Sequence, residues 1–199
     1  MQKPNISLLL KKLWHVIWYE DSLLSWILNA GIAFFLIKFI VYPGLGLLLS
    51  TTHPIVAVVS SSMEHELPLD DWWNSQRAWY EEKNITKEMF LNYPLKNGFN
   101  KGDIMVLRGK NAKDINIGDV LVFKSHRPDP IIHRVVKKWQ EDGKYFFQTK
   151  GDNNKESIPL GETNELRIQE TQIVGIAVAR IPLLGWIKIA FVGLMGNII

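Results

Sequence analysis

The chain has 199 residues, of which 47% are hydrophobic and 22% charged, enough to bury one ordinary core and carry attachments. Its net charge of +3 comes with no basic block, because Lys and Arg alternate with acids, so nucleic acid is not indicated as a partner. It contains no cysteine, which excludes disulfides, zinc–thiolate sites and thiol catalysis.

Between Ser22 and Ser50 the only charged residue is Lys38. A helix of about 20 apolar residues is enough to cross a hydrocarbon core. The span is expected at residues 23–42, ended by Pro43-Gly44, with Lys38 snorkelling from its last turn. The run is too long for the apolar part of a secretory signal and no small-residue cleavage site follows, so it is read as a retained anchor. Lys3, Lys11 and Lys12 precede it, and no Lys or Arg occurs between Pro43 and Arg77. That asymmetry places residues 1–22 in the cytoplasm or at its interface, and everything after the span outside the cell membrane. Trp14, Trp18, Tyr19 and Trp26 fit an aromatic belt there, or equally one face of a short amphipathic helix.

The stretch Pro54-Ile-Val-Ala-Val-Val is a β-branched run that ends abruptly in Ser60-Ser61-Ser62-Met63. A buried strand delivers polar residues to the rim of a sheet in this way. A serine hydroxyl is a poor nucleophile at neutral pH, so the stretch carries chemistry only if another segment brings a base to it. Residues 64–100 read as an inserted helical flap dense in aromatics, among them Trp72, Trp73, Trp79, Tyr80, Phe90, Tyr93 and Phe99. One helix is expected from Asp70 or Asp71 to about Lys83, and another from Thr86 to about Asn92. Packing of the flap onto the domain explains its aromatics better than a substrate or lipid platform does. Asn84-Ile85-Thr86 is a glycosylation acceptor pattern.

From Lys101 short β-type runs follow, at residues 104–108, 120–124, 131–136, 145–149 and 173–179. Asp142-Gly143 should close a hairpin between the third and fourth of them. The fold expected for residues 54–182 is a mainly β, antiparallel domain. Residues 183–199 are apolar apart from Lys188 and Asn197, and are read as a membrane-associated tail, with a second crossing as the alternative.

Five histidines are present: His15, His53, His65, His126 and His133. Only His133 sits inside a strand pattern, where alternation groups it with Ile131 and Val135, opposite Ile132, Arg134 and Val136. A lone histidine of this kind is ordinarily a core residue; paired with a serine at a strand end it becomes a candidate base. Its other ring nitrogen then needs an acceptor, and the hairpin could bring Asp152 to the same edge, although Gly151-Asp152-Asn153-Asn154 also reads simply as a turn. Lys137 shares the alternation of His133, so a Ser–Lys pair using Lys137 or Lys124 stays open.

Several motifs recur in one order behind the membrane helix: Ser60-x-Ser62-Met63, Gly102-Asp103-Ile104, Gly118-Asp119-Val120, Ile132-His133-Arg134-Val135-Val136, Lys150-Gly151-Asp152-Asn153-Asn154 and Ile181-Pro182-Leu-Leu-Gly185. In this order the chain resembles a type I signal peptidase, and histidine before Arg134 is similar to the archaeal and endoplasmic-reticulum branch. The resemblance implies a signal-peptidase-like β domain and a membrane-anchored serine endopeptidase cleaving N-terminal signal peptides from secretory preproteins. It implies Ser62 as nucleophile, His133 as general base, and the Ser60 hydroxyl with the Ser62 backbone N–H as oxyanion hole. Its partners would be those preproteins, membrane lipid and the translocation machinery, with no metal or other cofactor. Two departures stand out. Family members usually have about ten residues where this chain has the flap, and their Asp-Asp pair after Gly-Asp-Asn-Asn is replaced here by Ser157 and Ile158. Asp152 is accordingly expected to orient His133, with Glu156 and Glu162 as substitutes. The missing pair also supports an alternative, a catalytically inactive membrane-tethered binding or assembly module.

Overall fold

A computed structural model describes residues 6–159 and 163–196, in two units that divide after Leu48. The first unit is helical, with α1 at Ile6–Tyr19 and α2 at Leu23–Leu48. Ser22 caps α2 by accepting from the Ser25 N–H at 3.2 Å. Ser25 Oγ and Asn29 Nδ2 in turn donate to the Val16 and Ile17 carbonyls at 2.7 and 3.1 Å, satisfying acceptors that the end of α1 leaves exposed.

Helix α2 does not stop at Pro43, as the sequence led us to expect; it runs on to Leu48. A π-helical turn at Ile37–Val41 precedes the proline, and the Tyr42 N–H reaches back to the Ile37 carbonyl. Such a turn shifts the hydrogen-bond register where proline lacks a donor and would clash with the preceding turn. With 26 residues, α2 is the one helix among those described that is long and apolar enough to cross a membrane.

The second unit is built on a seven-stranded antiparallel sheet in the order β1-β2-β7-β3-β4-β5-β6. The strands are β1 Ile55–Ala57, β2 Ile104–Arg108, β3 Val120–Phe123, β4 Ile131–Glu141, β5 Lys144–Lys150, β6 Ile168–Gln169 and β7 Ile173–Ile181. The architecture is mainly β, as expected. Asp142 and Gly143, with φ of 49° and 78°, form the two-residue turn between β4 and β5 whose twist matches the strands it joins. Strand β7 inserts between β2 and β3, pairing with both. Met63, Phe99, Met105, Leu107, Val120 and Val122 fill one core cluster, and Leu121, Phe123, Val135, Phe147, Ile168 and Ile176 another.

The flap contains α3 at Leu69–Glu82 and α4 at Lys87–Leu91. Thr86 caps α4 through the Met89 N–H, whereas Asp70 and Asp71 lie inside the first turn of α3 rather than capping it. Its two ends meet: the Phe99 N–H donates to the Met63 carbonyl at 3.0 Å and the Lys101 N–H to Glu64 Oε1 at 2.8 Å. An insertion with joined ends leaves the flanking strands undisturbed. Trp72, Trp73, Tyr80, Ile85 and Phe90 are buried together with Val136 of β4, so the aromatics pack the flap onto the sheet. After β7, α5 at Trp186–Gly196 spans 11 of the described residues, about 16 Å of helix against a hydrocarbon core of about 30 Å.

Candidate active site

The pairing of β4 with β5 sorts the polar residues of this region onto two faces. Val135 lies opposite Thr149, and Arg134 opposite Lys150. Directly paired residues share a face, so Thr149 stands with Val135 and His133, and Lys150 with Arg134. On the first face His133 Nε2 lies 2.8 Å from Ser62 Oγ, while His133 Nδ1 is hydrogen-bonded to Glu165 Oε1. Glu165 is fully buried and His133 nearly so. Its Oε1 also accepts from Thr149 Oγ1 at 2.9 Å and its Oε2 from the Ile158 N–H at 2.9 Å, which fixes the carboxylate plane. Backbone bonds from the Thr149 N–H to the Glu165 carbonyl and from the Glu165 N–H to the Ile158 carbonyl hold the segment in place. Ser60 Oγ is 3.1 Å from Ser62 Oγ and exposed.

The structure does not bring Asp152 to His133. Its carboxylate is on the Arg134 face, where Arg134 Nε and Nη2 donate to it at 2.9 and 2.6 Å, Tyr80 OH at 3.1 Å and His65 Nε2 at 3.1 Å. Two residues past Lys150, it continues on the side that Lys150 occupies, away from the imidazole. Burial alone would raise its carboxyl, but the Arg134 guanidinium and the hydrogen bonds from His65 and Arg134 hold it well below the usual carboxylate range. The remaining Arg134 donors go to the Pro94, Leu95 and Gly118 carbonyls. Nearby, burial lowers the Lys150 ammonium to about 8 against the opposing pull of Asp152 and Glu165. Of the substitutes named for Asp152, Glu156 is exposed and Glu162 lies outside the described residues.

The lysine alternatives also separate from Ser62. A bulge in β4 places Val135 opposite Thr149 but Lys137 opposite Gln148, so Lys137 leaves the His133 face that simple alternation assigned to it. It is exposed and lies over the Trp139 ring, and Lys124 is exposed at the end of β3. Glu165 is the residue that sequence reasoning missed. It comes from an irregular segment before the two-residue strand β6, with no spacing rule linking it to His133. Only a complete roll of the carboxylates downstream of β5 would have included it. Among the described residues no cluster of three histidines or carboxylates could hold a metal ion.

A hydroxyl, an imidazole and a buried carboxylate in line at the rim of an antiparallel sheet are the parts of a serine-type hydrolase site. No protein-family model matches the chain. Similarity to curated proteins is extensive, however. The signal peptidase complex catalytic subunit SEC11 of Lachancea thermotolerans is 31% identical over 172 residues, covering 80% of this chain and 83% of the relative. The SEC11 proteins of Yarrowia lipolytica and Pyricularia oryzae are each 27% identical, covering 79% of this chain and 74% and 81% of their own lengths. The chain belongs to the type I signal peptidase family, and is a protease.

Proposed function

We propose that the chain is a membrane-anchored serine endopeptidase that removes N-terminal signal peptides from exported preproteins. The observation that carries the reading is an imidazole bonded on one side to Ser62 and on the other to buried Glu165. Ser62 Oγ attacks the scissile carbonyl while His133 Nε2 takes its proton, later giving it to the leaving amine. Glu165 holds the tautomer that leaves Nε2 able to accept, and stabilises the imidazolium that forms. The Ser60 hydroxyl and the Ser62 backbone N–H receive the oxyanion, each good donor being worth about 3–4 kcal/mol. The inactive-module alternative drew on the missing Asp-Asp pair, and Glu165 supplies a carboxylate from another segment.

In this reading residues 1–22 are cytoplasmic or interfacial, α2 crosses the membrane, residues 54–182 form the external catalytic domain and the tail from residue 183 rests in the outer leaflet. The lysine asymmetry and the length of α2 support that arrangement. Signal peptides as substrates, and assembly with other subunits, are supported by the relatives' description as catalytic subunits of a signal peptidase complex; association with the translocation machinery is a further part of the same proposal. The test is preprotein cleavage in liposomes. Ser62→Ala and His133→Ala should each abolish it, with the double variant no worse than either, because the residues act as a unit. Independent, multiplying losses would overturn the shared mechanism.

A further inference from the structure

The backbone that carries Ser62 is held by the turn after β5. The Asn153 N–H donates to the Ser62 carbonyl at 2.8 Å, Asn153 Nδ2 to the Ser61 carbonyl at 3.2 Å, and the Asp152 N–H to Met63 Sδ at 3.3 Å. The approach is close enough that a Cβ on Gly151 would lie 2.8 Å from the Ser62 carbonyl oxygen. Any shift of this turn is therefore a shift of the nucleophile. The turn is fixed in its place by the buried Asp152 carboxylate, and two of the groups that grip that carboxylate belong to the flap: His65 at its first stem and Tyr80 in α3.

His65 is placed for this task and little else. Its ring lies flat on Trp72, with centroids 3.7 Å apart and planes 9° from parallel. Gly98 makes room for it, since a Cβ there would come within 2.6 Å of the imidazole. Nδ1 is buried with no hydrogen-bond partner among the described residues, so Nε2 is the ring's polar tie. The flap thus has a direct mechanical link, through Asp152, to the turn that sets the Ser62–His133 separation.

We propose that His65 and Tyr80 are positioning residues for the Ser62–His133 reaction, and that the flap acts as a clamp on the nucleophile through Asp152. This rests on the functional reading above. The experiment uses the full chain in detergent with His65→Phe, which keeps the stack and loses the hydrogen bond, His65→Gln, whose amide can still donate to Asp152, and the nearly isosteric Tyr80→Phe. Three quantities are read: kcat and KM for preprotein cleavage, the rate at which a small fluorophosphonate phosphonylates Ser62 with loss of fluoride, and the thermal melt. Misplacing reacting atoms by a fraction of an ångström should lower kcat and the phosphonylation rate together in His65→Phe and Tyr80→Phe, by about 10-fold with KM unchanged. His65→Gln should recover most of the loss. A lower melt with unchanged kcat and phosphonylation in both Phe variants would make the contacts merely structural and overturn the proposal, as would a Gln variant no better than Phe. Undiminished cleavage in Ser62→Ala would instead remove the functional reading itself, and the clamp with it.

Discussion

Glu165→Gln is the sharpest perturbation of the proposed triad, because the side chain keeps its size while one oxygen becomes a donor. Two placements of the amide are open to it. If the amide oxygen stays toward His133 Nδ1 and Thr149 Oγ1, the NH2 group faces the Ile158 N–H that Oε2 now accepts. Two donors then oppose each other in a buried site, costing about 1–3 kcal/mol, or about 2–12 °C of melting temperature for a domain of this size. If the amide flips, its NH2 faces His133 Nδ1 and selects the tautomer whose Nε2 carries a proton toward Ser62. That ring cannot accept the serine proton, and turnover should fall by up to about 10⁴-fold, equivalent to about 5 kcal/mol of barrier. Preprotein turnover and thermal melting, measured on the same preparation, separate the two placements. A variant within a few-fold of wild-type turnover and with an unchanged melt would refute the assignment of Glu165 as the orienting acid.

Asp152→Asn should lower stability, since it leaves the fully buried Arg134 without its counter-charge, and the expected cost of about 3–5 kcal/mol lowers the melt by about 6–20 °C; through the proposed clamp it should lower turnover as well. The carboxyl is depressed in the folded chain, so its stabilisation is fully present above the unfolded value near 4 and is lost as pH falls below it, a loss that melts between about pH 5 and 2 should show in wild type and not in the variant. The proposed topology can be read with two acceptor patterns, Asn5-Ile6-Ser7 before α2 and Asn84-Ile85-Thr86 in the flap. In microsomes a glycan should appear on Asn84, exposed in the turn after α3, and not on Asn5; a shift that survives Asn84→Gln and vanishes in Asn5→Gln would reverse the orientation.

The parts of this protein that follow local rules were legible in its sequence. Alternation and turn residues located most of the sheet, Asp142-Gly143 closed the expected hairpin, and His133 stands opposite Arg134 across the strand as alternation required. What local rules do not encode was misread. Asp152 was assigned by nearness along the chain, whereas the β4–β5 register puts it on the Arg134 side. Lys137 kept the His133 face only until the bulge in β4 changed the parity. Glu165 reaches His133 through the pairing of its irregular segment with Thr149, a contact that no spacing in the sequence announces. Pro43 is a sound helix stop in general, but the π-helical turn before it lets α2 continue.

The position of β7 makes the sheet around the site a product of late closure. In the sheet, β1 and β2 form one ribbon and β3 to β6 another, and only the last strand joins them. Ser62 leaves the first ribbon, whereas His133 belongs to the second and Glu165 is tied to it. During synthesis Ser62 and His133 therefore both emerge before the strand that joins their ribbons in the sheet, and until residues 173–181 follow, the ribbons can meet through the flap on Val136 and the turn that holds Ser62 but not through the sheet itself. The same arrangement makes the connection between β2 and β3, residues 109–119, a natural place to cut the chain in two: the fragments would carry Ser62 and His133 separately, and under the proposed function hydrolysis would report their reunion.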